Sequence, residues 1–134
     1  MEQADGLLEV DWYTLRNTIA KEIGWSNISL IDRREVTDRD PHLADPSNRY
    51  YIYTQRGVVV GYCNVNIEDV IWIGDFEISK KHRGQGYGKK FANDIIRKFS
   101  HHQLMLTYRD DIAHRFWKSI GFKDDHAKVM IHDK

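Results

Sequence analysis

The run from Arg83 to Lys90 reads RGQGYGKK and combines three glycines with three basic residues. It lies between a strand-like segment, Val70 to Ile78, and a helix-like segment, Lys89 to Phe99. Glycines leave backbone N–H groups unshielded, and at the start of a helix these unpaired donors meet the positive end of the helix dipole. The run therefore predicts an anion site. A diphosphate is the natural ligand, because it accepts several backbone donors at once beside the basic side chains.

Two other phosphate-binding loops fit this run less well. A Walker loop needs Ser or Thr after its final Gly-Lys to hold magnesium, whereas Lys90 follows Lys89 here. A dinucleotide loop spaces its glycines as Gly-x-Gly-x-x-Gly and opens the first unit of a parallel sheet, but these glycines are spaced Gly-x-Gly-x-Gly and come late in the chain. The pattern that the run does fill is Arg/Gln-x-x-Gly-x-Gly/Ala.

The segment from Asp75 to Gly88 resembles the coenzyme A signature of the GNAT superfamily, the acetyl-CoA-dependent N-acetyltransferases. A second segment, Ala113 to Phe122, is similar to the family's C-terminal signature Ala-x-x-Phe-Tyr-x-x-x-Gly-Phe and follows at about the family's distance. Leu15 to Trp25, a helix closing on Gly-Trp, is a looser third similarity. The resemblance implies an α/β (α+β) GNAT-like fold in one domain, residues 1–134. That fold has a mixed, mostly antiparallel sheet, helices on both faces and a splayed parallel strand pair.

The resemblance also implies where acetyl-CoA binds as co-substrate. We expect the diphosphate on the glycine loop, and the pantetheine arm in the gap of the splayed strands, pairing with the backbone around Phe76 to Ile78. Asp110 stands where the family often has an asparagine that positions this arm, and an ionised carboxylate cannot donate that hydrogen bond. The expected coenzyme-binding residues are Phe76, Ile78, Arg83, Gly84, Gln85, Gly86, Tyr87, Gly88, Lys89, Asp110, Phe116 and Trp117.

Acetyl transfer requires a neutral amine, and a lysine-like amine with a pKa of ~10.4 is almost fully protonated at pH 7. A carboxylate or a water molecule must therefore carry the proton away. Glu77 is our first candidate for the general base and Asp75 our second. Strand alternation would place both on one face of the sheet, unless the bulge that the resemblance implies here changes the parity.

Trp117 stands where the family usually has a tyrosine that protonates the departing thiolate. An indole N–H donates a hydrogen bond but does not release its proton, so Tyr108 or solvent would have to be the acid. Two hypotheses follow: an N-acetyltransferase in which the amine attacks the thioester directly, or a catalytically weak or inactive acyl-CoA-binding sensor or scaffold. A third, an aromatic-rich RNA-binding domain, is disfavoured by the zero net charge and the absence of a basic stripe.

The hydrophobic pattern predicts the elements that position these residues. Short connections between β-branched and aromatic segments predict three antiparallel strands, and a crossover helix predicts a parallel pair. The predicted elements are a helix from Asp11 to Gly24, strands at Tyr50 to Thr54, Val58 to Asn66 and Val70 to Ile78, a helix from Lys89 to Phe99, a strand at Leu104 to Tyr108, a helix from Ala113 to Gly121 and a strand at Lys128 to His132. The acidic run from Asp32 to Asp45 reads as loops, and the resemblance implies that it lines the acceptor site.

The composition excludes or disfavours several other classes of function. With 20 basic and 20 acidic residues, the chain gives no electrostatic case for nucleic acid or an anionic membrane. Its only cysteine, Cys63, excludes an internal disulfide and sits in a predicted strand, which makes it a poor nucleophile candidate. The histidines show no metal-ligand spacing, so no metal is expected. We expect a soluble, cytoplasmic protein with a small cationic amine or a peptide amine as acceptor, and exposed strand edges are compatible with a homodimer.

Overall fold

The computed structural model describes residues 5–29 and 46–133, so the acidic run from Asp32 to Asp45 lies outside the described residues. The strands are β1 (Gly6–Val10), β2 (Asn48–Gln55), β3 (Val58–Ile67), β4 (Ile71–Ile78), β5 (Leu104–Thr107), β6 (Lys123–His126) and β7 (Val129–His132). The α-helices are α1 (Trp12–Thr18), α2 (Tyr87–Lys98) and α3 (Asp111–Ile120). A π-helical turn, Ile19–Ile23, extends α1. No helix in the described ranges is long and apolar enough to cross a membrane.

The strands form one sheet in the order β1-β2-β3-β4-β5-β7-β6. Every neighbouring pair is antiparallel except β4 and β5, which are parallel and are connected by α2. The predicted fold class is therefore confirmed. The sequence pattern did not predict the two edge strands. β6 reads Lys-Asp-Asp-His with every residue exposed, so it has no apolar alternation, and its pairing with β7 depends on backbone hydrogen bonds.

Helices cover both faces of the sheet, because alternate residues of the central strands point to opposite sides. On one face, Tyr51 and Tyr53 of β2 pack in a core with residues of α2 and α3. On the other face, Tyr50 and Ile52 pack with Trp12 and other residues of α1 and its π-helical extension. Burial of these aromatic and aliphatic side chains holds the three layers together.

A β-bulge interrupts β4 near its middle. Asn64 of β3 faces two residues of β4, Gly74 and Asp75, because the register between the strands shifts there. The Asn64 side chain fills the bulge: its Oδ1 accepts a hydrogen bond from the Asp75 backbone N–H at 2.9 Å, and its Nδ2 donates to Asn48 Oδ1 at 2.8 Å. A Cβ atom on Gly74 would lie 2.0 Å from Asn64 Oδ1, so only glycine leaves room for this arrangement.

The bulge decides which side chains of β4 face α2. Ile73 before it and Phe76 and Ile78 after it all pack with the core on the α2 face. Without the extra residue, the side chains after the bulge would point to the opposite faces. Glu77 instead points to the α1 face, where it contacts Tyr62.

Candidate functional site

Strands β4 and β5 separate after a short parallel stretch. They pair at three positions, ending with Ile73 opposite Leu106. Two clefts open beyond this point, the first of about 570 Å³ and the second of about 400 Å³. Both clefts are lined by Phe76, Arg109, Ala113 and Trp117. The splayed strand pair that the family resemblance implied is thus present, with a cleft on each side of the shared residues.

The first cleft is bordered by the N-terminus of α2. Gly86 precedes the helix with a φ of 82° and supplies no side-chain cap. The backbone N–H of Lys90 bonds to the Gly86 carbonyl, whereas those of Tyr87, Gly88 and Lys89 belong to the first turn, where an α-helix offers no carbonyl partner. This end of the helix therefore presents a group of backbone donors and the positive end of the dipole to the cleft.

The glycines of the loop are required for different reasons. Gly84 and Gly86 have φ values of 78° and 82°, in the left-handed region that side chains rarely adopt, although open space surrounds the position of a Cβ. Gly88 is limited by packing instead, because a Cβ there would lie 3.2 Å from Phe116 Cε1 of α3. The first two glycines shape the loop, and the third lets α2 approach α3 closely.

The other two α-helices in the described ranges begin with a carboxylate cap. Asp11 Oδ1 accepts a hydrogen bond from Thr14 N at 2.7 Å, and Asp110 Oδ1 accepts one from Ala113 N at 2.8 Å. The Thr14 backbone N–H holds the pKa of the Asp11 carboxyl below its usual value. Asp110 also lines the first cleft, so its carboxylate stabilises the start of α3 at the position where we expected a contact to the pantetheine arm.

The structure brings the expected coenzyme-binding residues together. Every one of them lines the first cleft except Gln85, which is exposed. The cleft wall also contains Ala113, the first residue of the C-terminal signature, and three residues that the sequence patterns did not indicate: His82, Arg109 and Ile112. Arg109 could have been found from the sequence. It stands between a short buried strand and the aspartate that caps the next helix, and such a position lies at the rim of the sheet. Ile112 is 71% exposed, and its sequence position gave no indication of this.

Glu77 lines the first cleft but its side chain is deeply buried, at 4% exposure. Its Oε1 accepts hydrogen bonds from Tyr62 Oη at 2.9 Å and Ser29 N at 3.0 Å. Its Oε2 accepts from Ser29 Oγ at 2.6 Å, Arg83 Nη2 at 2.8 Å and the same Ser29 N at 2.9 Å. Arg83 is half exposed and also donates from Nε to the Ile78 carbonyl at 2.9 Å. The carboxylate is thus the centre of a network that includes a residue of the glycine loop.

The other two candidate catalytic residues lie in the second cleft. Asp75 is exposed there, and Tyr108 is partly buried with its ring 4.5 Å from that of His114. The three candidates are therefore not in one cleft, since Glu77 lines the first and not the second. The shared residues Phe76 and Trp117 lie between the two groups.

Trp117 and Cys63 are both part of the core on the α2 face. The Trp117 ring is 4.8 Å from Phe76 and 5.1 Å from Phe122, with edge-to-face geometry, and the residue is 6% exposed. Cys63 is fully buried, and this burial, with a smaller contribution from the charge of Asp75, raises the pKa of its thiol. A buried thiol with a raised pKa is a poor nucleophile. No group of three or more His, Cys, Asp or Glu side chains in residues 5–29 and 46–133 could hold a metal ion.

Comparison by sequence gives one family. The family model described as Acetyltransferase (GNAT) family matches residues 11–122, which is most of the chain and includes the glycine loop and α3. A comparison with curated proteins gives no match.

Comparison by structure gives the same fold. A protein of Desulfovibrio desulfuricans assigned to the GNAT family of acetyltransferases superimposes with a TM-score of 0.73 at 11% identity, over 97% of this chain and 99% of that one. The ribosomal-protein-S18-alanine N-acetyltransferase from Escherichia coli gives 0.70 at 12% identity, over 96% and 91%. AtaTR bound with AcCoA gives 0.56 at 20% identity, over 69% and 71%.

Proposed function

Because the chain belongs to the acetyltransferase (GNAT) family, we propose that it transfers an acetyl group from acetyl-CoA to a primary amine. The observation that carries this proposal is the uncapped N-terminus of α2 at the first cleft, while α1 and α3 have carboxylate caps. An exposed set of backbone donors next to Arg83, Lys89 and His82 suits a diphosphate. We propose residues 1–134 as one domain that acts in the cytoplasm without a metal.

The rest of the first cleft suits the pantetheine arm of the coenzyme. Phe76, Ile78 and Phe116 supply apolar walls. Beyond Ile73, β4 pairs with β3 only, among the described residues, so its other edge can pair with an extended ligand as an added strand does. The structure of AtaTR bound with AcCoA, a protein of similar fold, is consistent with this assignment. The thioester would then lie near Trp117, between the two clefts.

In the proposed reaction the acceptor amine attacks the thioester carbonyl carbon, the C–N bond forms and the C–S bond breaks. The amine must first lose a proton, which for a lysine-like amine costs about 4.6 kcal/mol at pH 7. We propose Asp75, directly or through water, as the group that receives this proton, because it is exposed in the second cleft. Glu77 is a weaker candidate, since hydrogen-bond donors already occupy both of its oxygens.

The coenzyme leaves as a thiolate. Trp117 cannot donate a proton to it, so we propose that Tyr108 or solvent does. Because the thiolate is a good leaving group, with a thiol pKa of ~8.5, loss of the family's tyrosine would slow the reaction by a factor within the usual ~10²–10⁴ for acid–base catalysis and would not abolish it. The second cleft would hold the acceptor, with Trp72 and Tyr108 as aromatic walls for a cationic amine.

A second candidate function is acyl-CoA binding without turnover, as a sensor or scaffold. The observation that favours it is Trp117, a buried indole where the family usually has a tyrosine. Both functions need the coenzyme site, and they differ only in whether an amine is acetylated.

Two measurements test these functions. Titration calorimetry with acetyl-CoA and with free coenzyme A should show binding, and no detectable binding would contradict both. A thiol-release assay with a panel of polyamines, peptides and amino sugars then distinguishes them: release above the hydrolysis background with any amine supports the transferase, and none with any class supports the sensor. The Asp75→Asn variant should lower the rate without weakening coenzyme binding.

A further inference from the structure

We propose that Glu77 is a positioning residue for the coenzyme loop and that it acts through Arg83. This inference rests on the proposed function, because it assigns a role within the coenzyme site. The sequence alone favoured Glu77 as a general base, and the contacts of its carboxylate point to a different task.

The Glu77 carboxylate is buried beside a cation of the glycine loop. The Glu77 side chain is 4% exposed, and a buried charge is costly unless it is paired and hydrogen-bonded. Arg83 provides the pairing charge at 2.8 Å. Because the bulge directs Glu77 to the α1 face, its carboxylate reaches Ser29 and Tyr62 there as well.

Both oxygens of the Glu77 carboxylate already accept hydrogen bonds. A general base must offer a lone pair to the proton that it removes. Tyr62 Oη donates to Oε1, Ser29 Oγ and Arg83 donate to Oε2, and the Ser29 backbone N–H is shared between both oxygens. These donors favour the ionised carboxylate and compete with a substrate proton for the same lone pairs. They also fix the direction of the carboxylate, which suits a group that holds another side chain in place.

Arg83 is held by two hydrogen bonds to β4. Its guanidinium donates from Nε to the Ile78 carbonyl at 2.9 Å and from Nη2 to Glu77 Oε2 at 2.8 Å. Two bonds from different nitrogens fix the plane of the guanidinium, which a single bond would not do. Both acceptors lie on β4, so Arg83 links the end of that strand to the loop at the mouth of the cleft. A diphosphate would then meet a positive charge that is already oriented, and binding costs less conformational entropy.

The test is a double-mutant cycle on coenzyme affinity, with Glu77→Gln, Arg83→Gln and the double variant measured by calorimetry with acetyl-CoA. We expect Glu77→Gln to weaken binding at least fivefold in the wild-type background, and by less than twofold when Arg83 is already glutamine. Additive effects, or tighter binding by Glu77→Gln through loss of a negative charge near the phosphates, would overturn the proposal. Tyr62→Phe is the matched control: it removes a donor from the same carboxylate but spares Arg83, so affinity should stay within twofold.

Rate measurements over a range of acetyl-CoA concentrations, with kcat and its pH profile taken at saturation, separate positioning from base catalysis. We expect Glu77→Gln to raise the KM for acetyl-CoA while kcat and the acidic limb of its pH profile stay within a fewfold of the wild type. Loss of kcat by a hundredfold, with the acidic limb moved, would instead make Glu77 the base.

A further variant keeps the inference testable if Glu77→Gln does not fold. Arg83→Lys keeps the charge but cannot make both bonds, so it should weaken acetyl-CoA binding nearly as much as Arg83→Gln; full affinity would overturn the proposal. A wild-type protein that binds no acetyl-CoA would overturn the proposed function and this role together. Wild-type binding without coupling between Glu77 and Arg83 would overturn this inference alone.

Discussion

Two helix N-termini face the first cleft, and they are built differently. At the start of α3 the carboxylate of Asp110 accepts a backbone N–H of the first turn at 2.8 Å. At the start of α2 there is only Gly86, which supplies no side-chain cap. A carboxylate at a helix end both occupies a donor and repels an anion, whereas a bare end attracts one. The difference teaches that, of these two ends, the α2 end is the one that suits a phosphate group, which would give a phosphate-bearing ligand of the cleft a defined orientation.

The largest effect is expected from giving α2 a carboxylate of its own. Gly86→Asp should weaken acetyl-CoA binding about a hundredfold or more, because a negative charge would lie against the diphosphate. Gly86→Asn is the control, since asparagine tolerates the left-handed backbone and is close in size, and it should lose less than about tenfold. Calorimetry measures both affinities. Equal losses would mean that backbone strain, and not charge, is responsible.

The next largest effect is expected at the bulge of β4, which forms a wall of the cleft between the two helix ends. Gly74→Ala would place a Cβ 2.0 Å from Asn64 Oδ1 and expel that side chain from the bulge. Loss of the bond to Asp75 N should lower the free energy of unfolding by about 2 kcal/mol, and displacement of Phe76 to Ile78 should weaken coenzyme binding. Denaturant unfolding and calorimetry measure the two effects. In an Asn64→Ala background the same change should cost less than roughly 0.5 kcal/mol, and an undiminished cost would show that the clash is elsewhere.

A smaller effect is expected at α1, the capped helix that does not face the cleft. Asp11→Ala should lower the free energy of unfolding by about 1 kcal/mol and leave acetyl-CoA affinity unchanged. The pKa of Asp11 is lowered in the folded protein, so its contribution is complete above the usual value and is lost as the pH falls through the folded pKa. Asp11→Asn should keep most of the stability without this pH dependence. A change in acetyl-CoA affinity would contradict the expectation that the cap of α1 does not influence the coenzyme site.

The smallest effect is expected at α3, the capped helix that faces the first cleft. Asp110→Asn should tighten acetyl-CoA binding by about two- to fivefold, because it removes a like charge and adds an N–H donor while asparagine still caps α3. The free energy of unfolding should change by less than roughly 0.5 kcal/mol. Asp110→Ala is the control, because it also removes the charge. Through loss of the helix cap it should lower the free energy of unfolding by about 1 kcal/mol. Weaker binding by Asp110→Asn would show that the carboxylate itself contacts the ligand.

A region can be predicted from the sequence when the residues that determine its structure are close together along the chain. The glycine loop and the uncapped start of α2 follow from adjacent residues, since φ preferences and missing side chains act within a few positions. The helical and strand patterns around them also gave the fold class. The edge strands β1 and β6 could not be predicted in this way, because short strands with little apolar alternation form when a neighbouring strand supplies hydrogen bonds.

The sequence by itself determined the glycine loop, the family and the order of the central elements. Only the tertiary structure decided the roles open to the carboxylates: Asn64 fills a bulge in a neighbouring strand, and this turns Glu77 toward Ser29 and Arg83 while Asp75 remains at the second cleft. The physical reason is that a side chain's direction and partners come from residues up to 48 positions away in the sequence, whereas a backbone donor needs only its own turn of helix.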